Sequence, residues 1–295
     1  MSWQSSGGTP RQRTLAGEVT LHGVGLHTGV ETAVRLRPAP VGRGWSLVRT
    51  DVDPPVAIPV SVRHRAATPR CTALEAGGIS VLTVEHLLAT LLAMGVDNVR
   101  IEVAGPELPI LDGSALPYVE ALDRVGLVEQ SAPRRVRQLP QAVWVGDAER
   151  FAAAMPWPEL RVSFAFISDH PGVGDQFAEF TVTPETFRAE IAPARTVAFA
   201  REVASLQARG LGLGGRPDNV LLITDQGPAG GWRLPDEVAR HKLLDLIGDL
   251  ALAGPLAARV VAVRGSHALT ARLVEAVEKV LEGTDGKEGD DAGHR

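Results

Sequence analysis

Cysteine is almost absent from this sequence, and long apolar runs are missing. One cysteine, Cys71, in 295 residues excludes an intramolecular disulfide and fits a reducing compartment. No run approaches the ~18 consecutive apolar residues that span a bilayer. The opening MSWQSSGGTPRQRT also lacks the apolar stretch of a signal peptide. We therefore expect a cytoplasmic protein without a transmembrane segment.

An excess of one charge is lacking as well. The formal net charge is −5, and no long single-sign run occurs in the body of the chain. Proteins that bind nucleic acid normally carry a basic excess, so we expect no nucleic-acid partner. What the chain does have is 44% hydrophobic residues, enough for a substantial core, and a length that suits two domains or one large one.

Periodicity in the first half predicts strands and helices that are segregated along the chain. Residues 30–37 and 98–103 alternate apolar and polar side chains, which indicates half-buried strands. Apolar runs predict helices over 83–94 and 115–124. Thr83 is the predicted N-cap of the first helix, and Gly95 its C-terminal stop.

A polar, proline-flanked stretch, Gln130–Pro140, is typical of a linker, and the second half repeats the scheme. Its predicted strands are 141–145, 161–167, 179–182, 219–224 and 258–263, and its predicted helices are 199–209, 236–252 and 269–281. This segregation favours an α+β fold over a Rossmann alternation. We predict two α+β domains, 12–129 and 136–281, with disorder in 1–11 and in the Gly- and charge-rich residues 282–295.

Two glycine-rich segments do not fit a nucleotide-binding loop. Gly23–Gly29 (GVGLHTG) has the wrong spacing for GxGxxG and precedes a predicted strand. Gly210–Gly215 (GLGLGG) follows a predicted helix, where glycines serve as caps and turn residues. Both segments are therefore interpreted as turns.

Three polar residues recur on the predicted helix of residues 236–252. His241, Asp245 and Asp249 are spaced by four, which places them on one face, and Gly248 allows another backbone to come close there. Imidazole plus carboxylate suits Zn²⁺, and a catalytic zinc keeps three protein ligands. One HxxxD pair is a weak signal, so an ordinary amphipathic helix with a solvated polar face stays an alternative.

A third ligand has to come from elsewhere, and His86 is the best candidate. It lies in the first turn of an apolar helix, where the field of the helix N-terminus favours a neutral imidazole. Glu85 beside it points about 100° away, so it could act on a water or simply be a carboxylate of the capping turn. His267 precedes the last helix in a loop, a common place for catalytic groups. The remaining histidines are interpreted as structural or surface residues: His22, His27, His64 and His170.

Taken together, these segments resemble the UDP-3-O-acyl-N-acetylglucosamine deacetylases, the zinc hydrolases of lipid A synthesis. The resemblance runs from about Gln12 to Leu281. The matching segments occur in one order: GVGLHTG at 23–29, LRPAP at 36–40, TVEH at 83–86, PELPILDGS at 106–114, ART at 194–196, LQ at 206–207 with GLGLGG at 210–215, RHKLLDLIGD at 240–249 and SHAL at 266–269.

The resemblance implies a role for each matching position. His86, His241 and Asp245 would be the zinc ligands, although these ligand types also accept Fe²⁺. Glu85 would be the general base, and His267 would protonate the leaving amine while Asp249 holds its imidazolium. Thr196 would donate to the developing oxyanion. The implied substrate contacts are Lys242 and Arg264 near the diphosphate, together with Val197 and Phe199. Residues 197–222 would wall an apolar passage for the acyl chain.

The same resemblance implies two similar α+β domains, each with a layer of strands and a layer of helices, and an active site between them. It also implies a lipid-bearing nucleotide sugar as partner, and nothing in the sequence requires more than a monomer. Departures fall around the nucleotide: Val197 replaces a common aromatic, Ile167 and Ser168 stand where one would stack on uracil, and Met155 stands near an expected lysine. The same chemistry on another acylated amino sugar, or a non-catalytic binding protein, therefore stay alternatives.

Overall fold

The computed structural model describes residues 10–290, and side chains as far as residue 283. Its strands are β1 Arg11–Leu15, β2 Val19–Val24, β3 Glu31–Pro38, β4 Trp45–Arg49, β5 Val56–Pro59, β6 Arg65–Ala66, β7 Ala73–Ala76, β8 Ile79–Val81, β9 Val99–Ala104, β10 Leu127–Pro133, β11 Arg137–Gln138, β12 Val143–Gly146, β13 Phe151–Pro156, β14 Leu160–Phe166, β15 Gln176–Thr181, β16 Val197–Phe199, β17 Leu221–Thr224, β18 Gly227–Pro228 and β19 Leu256–Val263. Its α-helices are α1 Glu85–Ala93, α2 Leu116–Val125, α3 Pro184–Thr186, α4 Ala200–Ala208, α5 Glu237–Leu250 and α6 His267–Asp290. Short 3-10 turns cover Val62–His64 and Ala251–Ala253, and a π-helical turn covers Phe187–Ile191.

The two halves of the chain build their main sheets with the same topology. The first sheet has the strand order β2-β3-β9-β4-β5, and the second has β12-β13-β19-β14-β15. In each sheet the middle strand, β9 or β19, runs parallel to one neighbour and antiparallel to the other. The remaining pairs along these two orders are antiparallel, and β11 adds a further parallel pair to β19. The α+β class predicted from the sequence is confirmed, and the architectural likeness of the halves is visible in strand order.

Each half also carries a small three-stranded sheet at the corresponding place, after its fourth main-sheet strand and before its buried helix. In the first half this sheet is β6-β7-β8, which precedes α1. In the second half it is β16-β17-β18, with α4 between its first two strands, and it precedes α5. These two additions bring polar and apolar side chains to the region where the halves meet.

The halves meet through helices α1 and α5. Every residue of α1 is buried, and the apolar side chains of α5 are buried as well. Both helices belong to one continuous hydrophobic core. A Cβ on Gly248 of α5 would lie 2.2 Å from the carbonyl oxygen of Glu85, a separation that real Cβ atoms do not show. Glycine at this position therefore permits the close backbone approach that the sequence predicted.

Most predicted elements are confirmed, with shifts of a few residues at their ends, and three predictions need correction. Thr83 is not the N-cap of α1: its φ is +57°, its hydroxyl donates to Glu107, and Val84 holds the cap position. Gln130–Pro140 is not a free linker, because β10 reaches Pro133 and pairs with β1, and β11 pairs with β19. The side chains of β10 are half-buried or exposed. Its sequence therefore lacks the alternation of apolar and polar residues that predicts a strand.

The chain ends are the third difference. Strand β1 begins at Arg11, within the stretch where disorder was predicted, and α6 continues to Asp290, beyond its predicted end at residue 281. A helix can continue on backbone hydrogen bonds after its apolar positions end, so composition did not mark this extension. Residues 1–9 and 291–295 lie outside the described part, and the domain bounds 12–129 and 136–281 stay a prediction. Among the described helices, none is long and apolar enough to cross a membrane.

The contact at Gly248 yields a stability test. Gly248→Ala should lower the free energy of unfolding by about 1–3 kcal/mol, because the added methyl group must push α1 and α5 apart. Gly283→Ala is the matched control, since its Cβ would meet nothing within 4 Å. That variant should stay within about 1 kcal/mol of wild type or gain stability. Urea denaturation of the three proteins measures the difference, and equal stability of both variants would contradict the tight helix contact.

Candidate active site

Three candidate metal ligands converge where α1 and α5 cross. His86 lies in the first turn of α1, and His241 and Asp245 lie one turn apart on α5. The Oδ1 atom of Asp245 is 3.5 Å from Nε2 of His241 and 3.8 Å from Nε2 of His86. One ligand atom from each of the three residues lies within 4.8 Å of the others, and all three residues are buried. The structure thus brings together ligand candidates from both halves of the chain.

The ring of His241 is oriented by a backbone carbonyl. Its Nδ1–H donates to the carbonyl oxygen of Ala194 at 3.0 Å. Because a carbonyl only accepts, this bond fixes the proton on Nδ1 and leaves the Nε2 lone pair facing Asp245. Burial lowers the pKa of His241. The ring is therefore held in the neutral tautomer that a metal ligand requires.

The carboxylate of Asp245 has its two oxygens in different environments. Lys242 donates to Oδ2 at 2.9 Å, and Oδ1 faces the two imidazoles. Burial opposes ionisation, but attraction to nearby cationic groups, Lys242 first, outweighs it, and the pKa of Asp245 lies below its ordinary value. Asp245 is consequently an anion: Lys242 binds its Oδ2, and its Oδ1 is left to face the two imidazoles.

This donor set fits a divalent metal ion. Ligand atoms about 2.1 Å from a tetrahedral zinc are about 3.4 Å apart, close to the 3.5 and 3.8 Å separations found here. Burial lowers the pKa of His86 to about 3, with a further contribution from His241, so this imidazole is also neutral. Two neutral imidazoles and one carboxylate suit Zn²⁺ and Fe²⁺ alike.

Glu85 lies beside this cluster without belonging to it. Its Oε2 accepts the backbone N–H of Thr72 at 3.1 Å, and its Oε1 is 3.8 Å from Nε2 of His267. Burial raises the pKa of Glu85 to about 8; His267 opposes this shift, and Asp245 adds to it. A divalent cation nearby would favour the carboxylate form and make this group a base poised near neutral pH.

His267 is the first residue of α6, not part of the preceding loop as predicted, and Asp249 holds it as a cation. Nδ1 of His267 is 3.0 Å from Oδ2 of Asp249, and Nε2 faces Glu85 and Asp245 at 3.8 Å each. Burial alone would lower the pKa of His267, but the charge and hydrogen bond of Asp249 raise it to about 9. The ring therefore presents a proton on Nε2 to the space beside Glu85.

Thr72 is a site residue that sequence reasoning missed. It is fully buried, its backbone N–H donates to Glu85, and its hydroxyl donates to Oδ1 of Asp249. The hydroxyl oxygen also lies 3.2 Å from Nδ1 of His267. No spacing links Thr72 to α5 or α6 in the sequence, so no local pattern drew attention to it.

A cavity of about 450 Å³ opens from the polar cluster. Thr196, Val197, Phe199 and Lys242, which the family resemblance implied as site residues, line it. Arg264 does not line it; this residue is exposed and sits at φ +50° just after β19. Much of the wall is apolar and comes from the predicted segment 197–222: Val197, Ala198, Phe199, Val203, Leu206, Leu211, Val220 and Leu222.

His27 belongs to this cavity as well, which the sequence interpretation did not predict. It is buried and lines the wall, and its Nδ1 has no hydrogen-bond partner among the described residues. Its backbone N–H donates to Glu107, which anchors the glycine-rich loop. The loop was predicted to be only a turn, but it also places the side chain of His27 in the cavity wall.

With this geometry established, comparison with known proteins decides the family. The model of the LpxC family, UDP-3-O-acyl N-acetylglycosamine deacetylase, matches residues 12–279. The chain belongs to this deacetylase family.

Relatives within the deacetylase family match over most of their length. The UDP-3-O-acyl-N-acetylglucosamine deacetylase of Thermosynechococcus vestitus is 44% identical over 283 residues, covering 92% of this chain and 97% of the relative. The protein of the same name from Myxococcus xanthus is 40% identical, covering 90% and 86%. That of a Nostoc species is 41% identical, covering 90% and 98%. The chain is therefore similar to whole deacetylases rather than to a part of them.

The ligand geometry predicts the effect of losing one imidazole. His241→Ala should weaken Zn²⁺ binding by more than about 100-fold, since loss of even an outer partner of a ligand costs about 10–100-fold. His22→Ala is the control, because His22 is exposed and outside the cavity lining. Competition with a fluorescent zinc chelator measures both affinities. Unchanged affinity in His241→Ala would remove this residue from the ligand set.

Proposed function

We propose that this chain catalyses the zinc-dependent hydrolysis of the N-acetyl amide of UDP-3-O-acyl-N-acetylglucosamine, yielding acetate and the free amine, as a step of lipid A synthesis. One observation carries the proposal: Glu85 and the His267–Asp249 pair flank a buried His86–His241–Asp245 cluster at the end of an apolar cavity. Binding alone would require neither a base nor an acid at this point. Family membership agrees with the deacetylase assignment.

The chemistry requires help at three points, because an amide is a poor electrophile with a poor leaving group. A divalent ion, when bound, supplies Lewis-acid polarisation of the carbonyl and acidifies water. Glu85 Oε1 accepts a proton as the water oxygen bonds to the carbonyl carbon. The C–N bond then breaks, and His267 Nε2 donates its proton to the departing nitrogen. Asp249 holds His267 protonated until this step.

The cavity wall provides the other contacts. Thr196 is the proposed hydrogen-bond donor to the developing oxyanion, since it lines the cavity next to the cluster. Lys242 and Arg264 are the proposed contacts of the diphosphate: Lys242 lines the cavity, and Arg264 is exposed outside it. The apolar side chains of residues 197–222 would enclose the acyl chain, and Val197 and Phe199 are the proposed substrate contacts among them. We also propose that the enzyme is cytoplasmic, because its one cysteine fits a reducing compartment, and that it acts as a monomer, because the proposed ligands and the acid–base pair converge within a single chain.

A different acylated amino sugar is a second candidate substrate. Val197 lines the cavity at a position where the family resemblance implies an aromatic, and Met155, Ile167 and Ser168 stand where it implies nucleotide contacts. If the nucleotide contributes little to the binding free energy, a nucleotide-free acylated N-acetylglucosamine would be hydrolysed as efficiently as the nucleotide sugar. Comparing kcat/KM for the two substrates separates these candidates.

Product analysis tests the proposed reaction directly. Incubation of the zinc-loaded protein with the nucleotide sugar should release one acetate per free amine, and a chelator should abolish this release. Mass spectrometry identifies the deacetylated sugar, and readdition of Zn²⁺ controls for damage by the chelator. An intact acetamide after incubation with the loaded protein would refute the proposal.

The assigned proton transfers predict two further variants. Glu85→Ala and His267→Ala should each lower kcat by about 10²–10⁴-fold while zinc stays bound, since neither residue is a proposed ligand. Glu75→Ala, which removes an exposed carboxylate, is the control. Metal analysis accompanies steady-state kinetics. A variant that keeps wild-type kcat would lose the role given to its residue.

A further inference from the structure

Thr72 contacts the candidate catalytic groups through both its backbone and its hydroxyl. Its backbone N–H donates to Oε2 of Glu85, and its carbonyl oxygen accepts the N–H of Val84 at the start of α1. Its hydroxyl donates to Asp249 and lies 3.2 Å from Nδ1 of His267. One residue thus touches both the proposed base and the proposed acid with its partner.

The hydroxyl determines which way the Asp249 carboxylate faces. A threonine hydroxyl has one proton, and here it is donated to Oδ1 of Asp249. The second oxygen, Oδ2, is then turned towards Nδ1 of His267 at 3.0 Å. This bond places the Nδ1 proton of His267 between Asp249 and Thr72 and directs Nε2 towards Glu85.

The backbone of Thr72 acts on the other partner. Oε2 of Glu85 is bound by the Thr72 N–H, so Oε1 is the oxygen that faces Nε2 of His267 at 3.8 Å. Thr72 leads directly into strand β7, within the small sheet of the first half. Asp249 and His267 come from the second half. Thr72 therefore links the proposed base, which comes from the first half, to the proposed acid, which comes from the second half.

We propose that Thr72 is a positioning residue for the hydrolysis, and that its hydroxyl orients His267 through Asp249. This inference rests on the proposed function for its kinetic consequence, but its geometric content is independent of the substrate. Because valine matches threonine in shape and retains the backbone N–H, Thr72→Val removes the hydroxyl and keeps the bond to Glu85. Thr72→Ser keeps the hydroxyl and removes only a methyl group.

The kinetic test uses the full chain loaded with Zn²⁺. Thr72→Val should lower kcat by about 10–100-fold with KM within about threefold, because orientation of the acid matters in the transition state. Thr72→Ser should keep at least about a third of wild-type kcat. Thr14→Val is the matched control: Thr14 is a buried threonine whose hydroxyl binds backbone atoms in the first half. It should change stability but not kcat.

A double-mutant cycle tests the route through Asp249. In an Asp249→Ala background, Thr72→Val should lower kcat by no more than about twofold, because the group it orients is gone. A full multiplicative loss in that background would overturn the proposal, as would equal losses in Thr72→Ser and Thr72→Val. Should Thr72→Val fail to fold, Thr72→Ala provides a second hydroxyl-free variant with less bulk.

A spectroscopic readout separates this inference from the proposed function. In ¹⁵N-histidine-labelled protein, the Nδ1 proton of His267 should give a downfield resonance, assigned by its loss in His267→Gln. The resonance should persist in Thr72→Ser and shift or broaden in Thr72→Val. An unchanged resonance in Thr72→Val overturns the positioning role, even in a protein that proved inactive on the nucleotide sugar.

Discussion

The close contact between α1 and α5 is the constraint on which the site depends. At Gly248 the α5 backbone touches the carbonyl of Glu85, so the first turn of α1 lies against the polar face of α5. That contact carries His86 to within reach of His241 and Asp245 and sets Glu85 opposite His267. The ligand cluster and the acid–base pair therefore both depend on this one helix contact.

Burial gives these groups their electrostatic character. The same desolvation keeps His86 neutral and raises the pKa of Glu85, whereas a specific carboxylate overrides it at His267. Two histidines in one buried site therefore differ in charge: His86 is neutral and His267 is a cation. One is suited to ligate a cation and the other to deliver a proton, and the difference comes from the Asp249 carboxylate bonded to His267.

The parts of the site that follow local spacing were readable from the sequence. His241, Asp245 and Asp249 repeat every four residues on a helix, and Gly248 between them indicated a backbone contact. Thr72 and the cavity position of His27 were not readable, because their partners are distant in the chain and neither fits a period. Strand β10 was interpreted as a linker for a related reason: its pairing with β1 is made by backbone atoms, while its side chains are polar or exposed.

The two small sheets occupy equivalent places in the halves but supply different things. The first, β6-β7-β8, is entered through Thr72 and touches the groups that move protons. The second, with α4, supplies the apolar wall of the cavity, and α4 has no buried residue. Contacts to the proposed acid–base groups and the apolar wall of the cavity therefore come from different parts of the fold. Substitutions in the second small sheet and α4 can therefore reshape the apolar wall without altering Thr72, which reaches Glu85 and Asp249 from the other half of the chain.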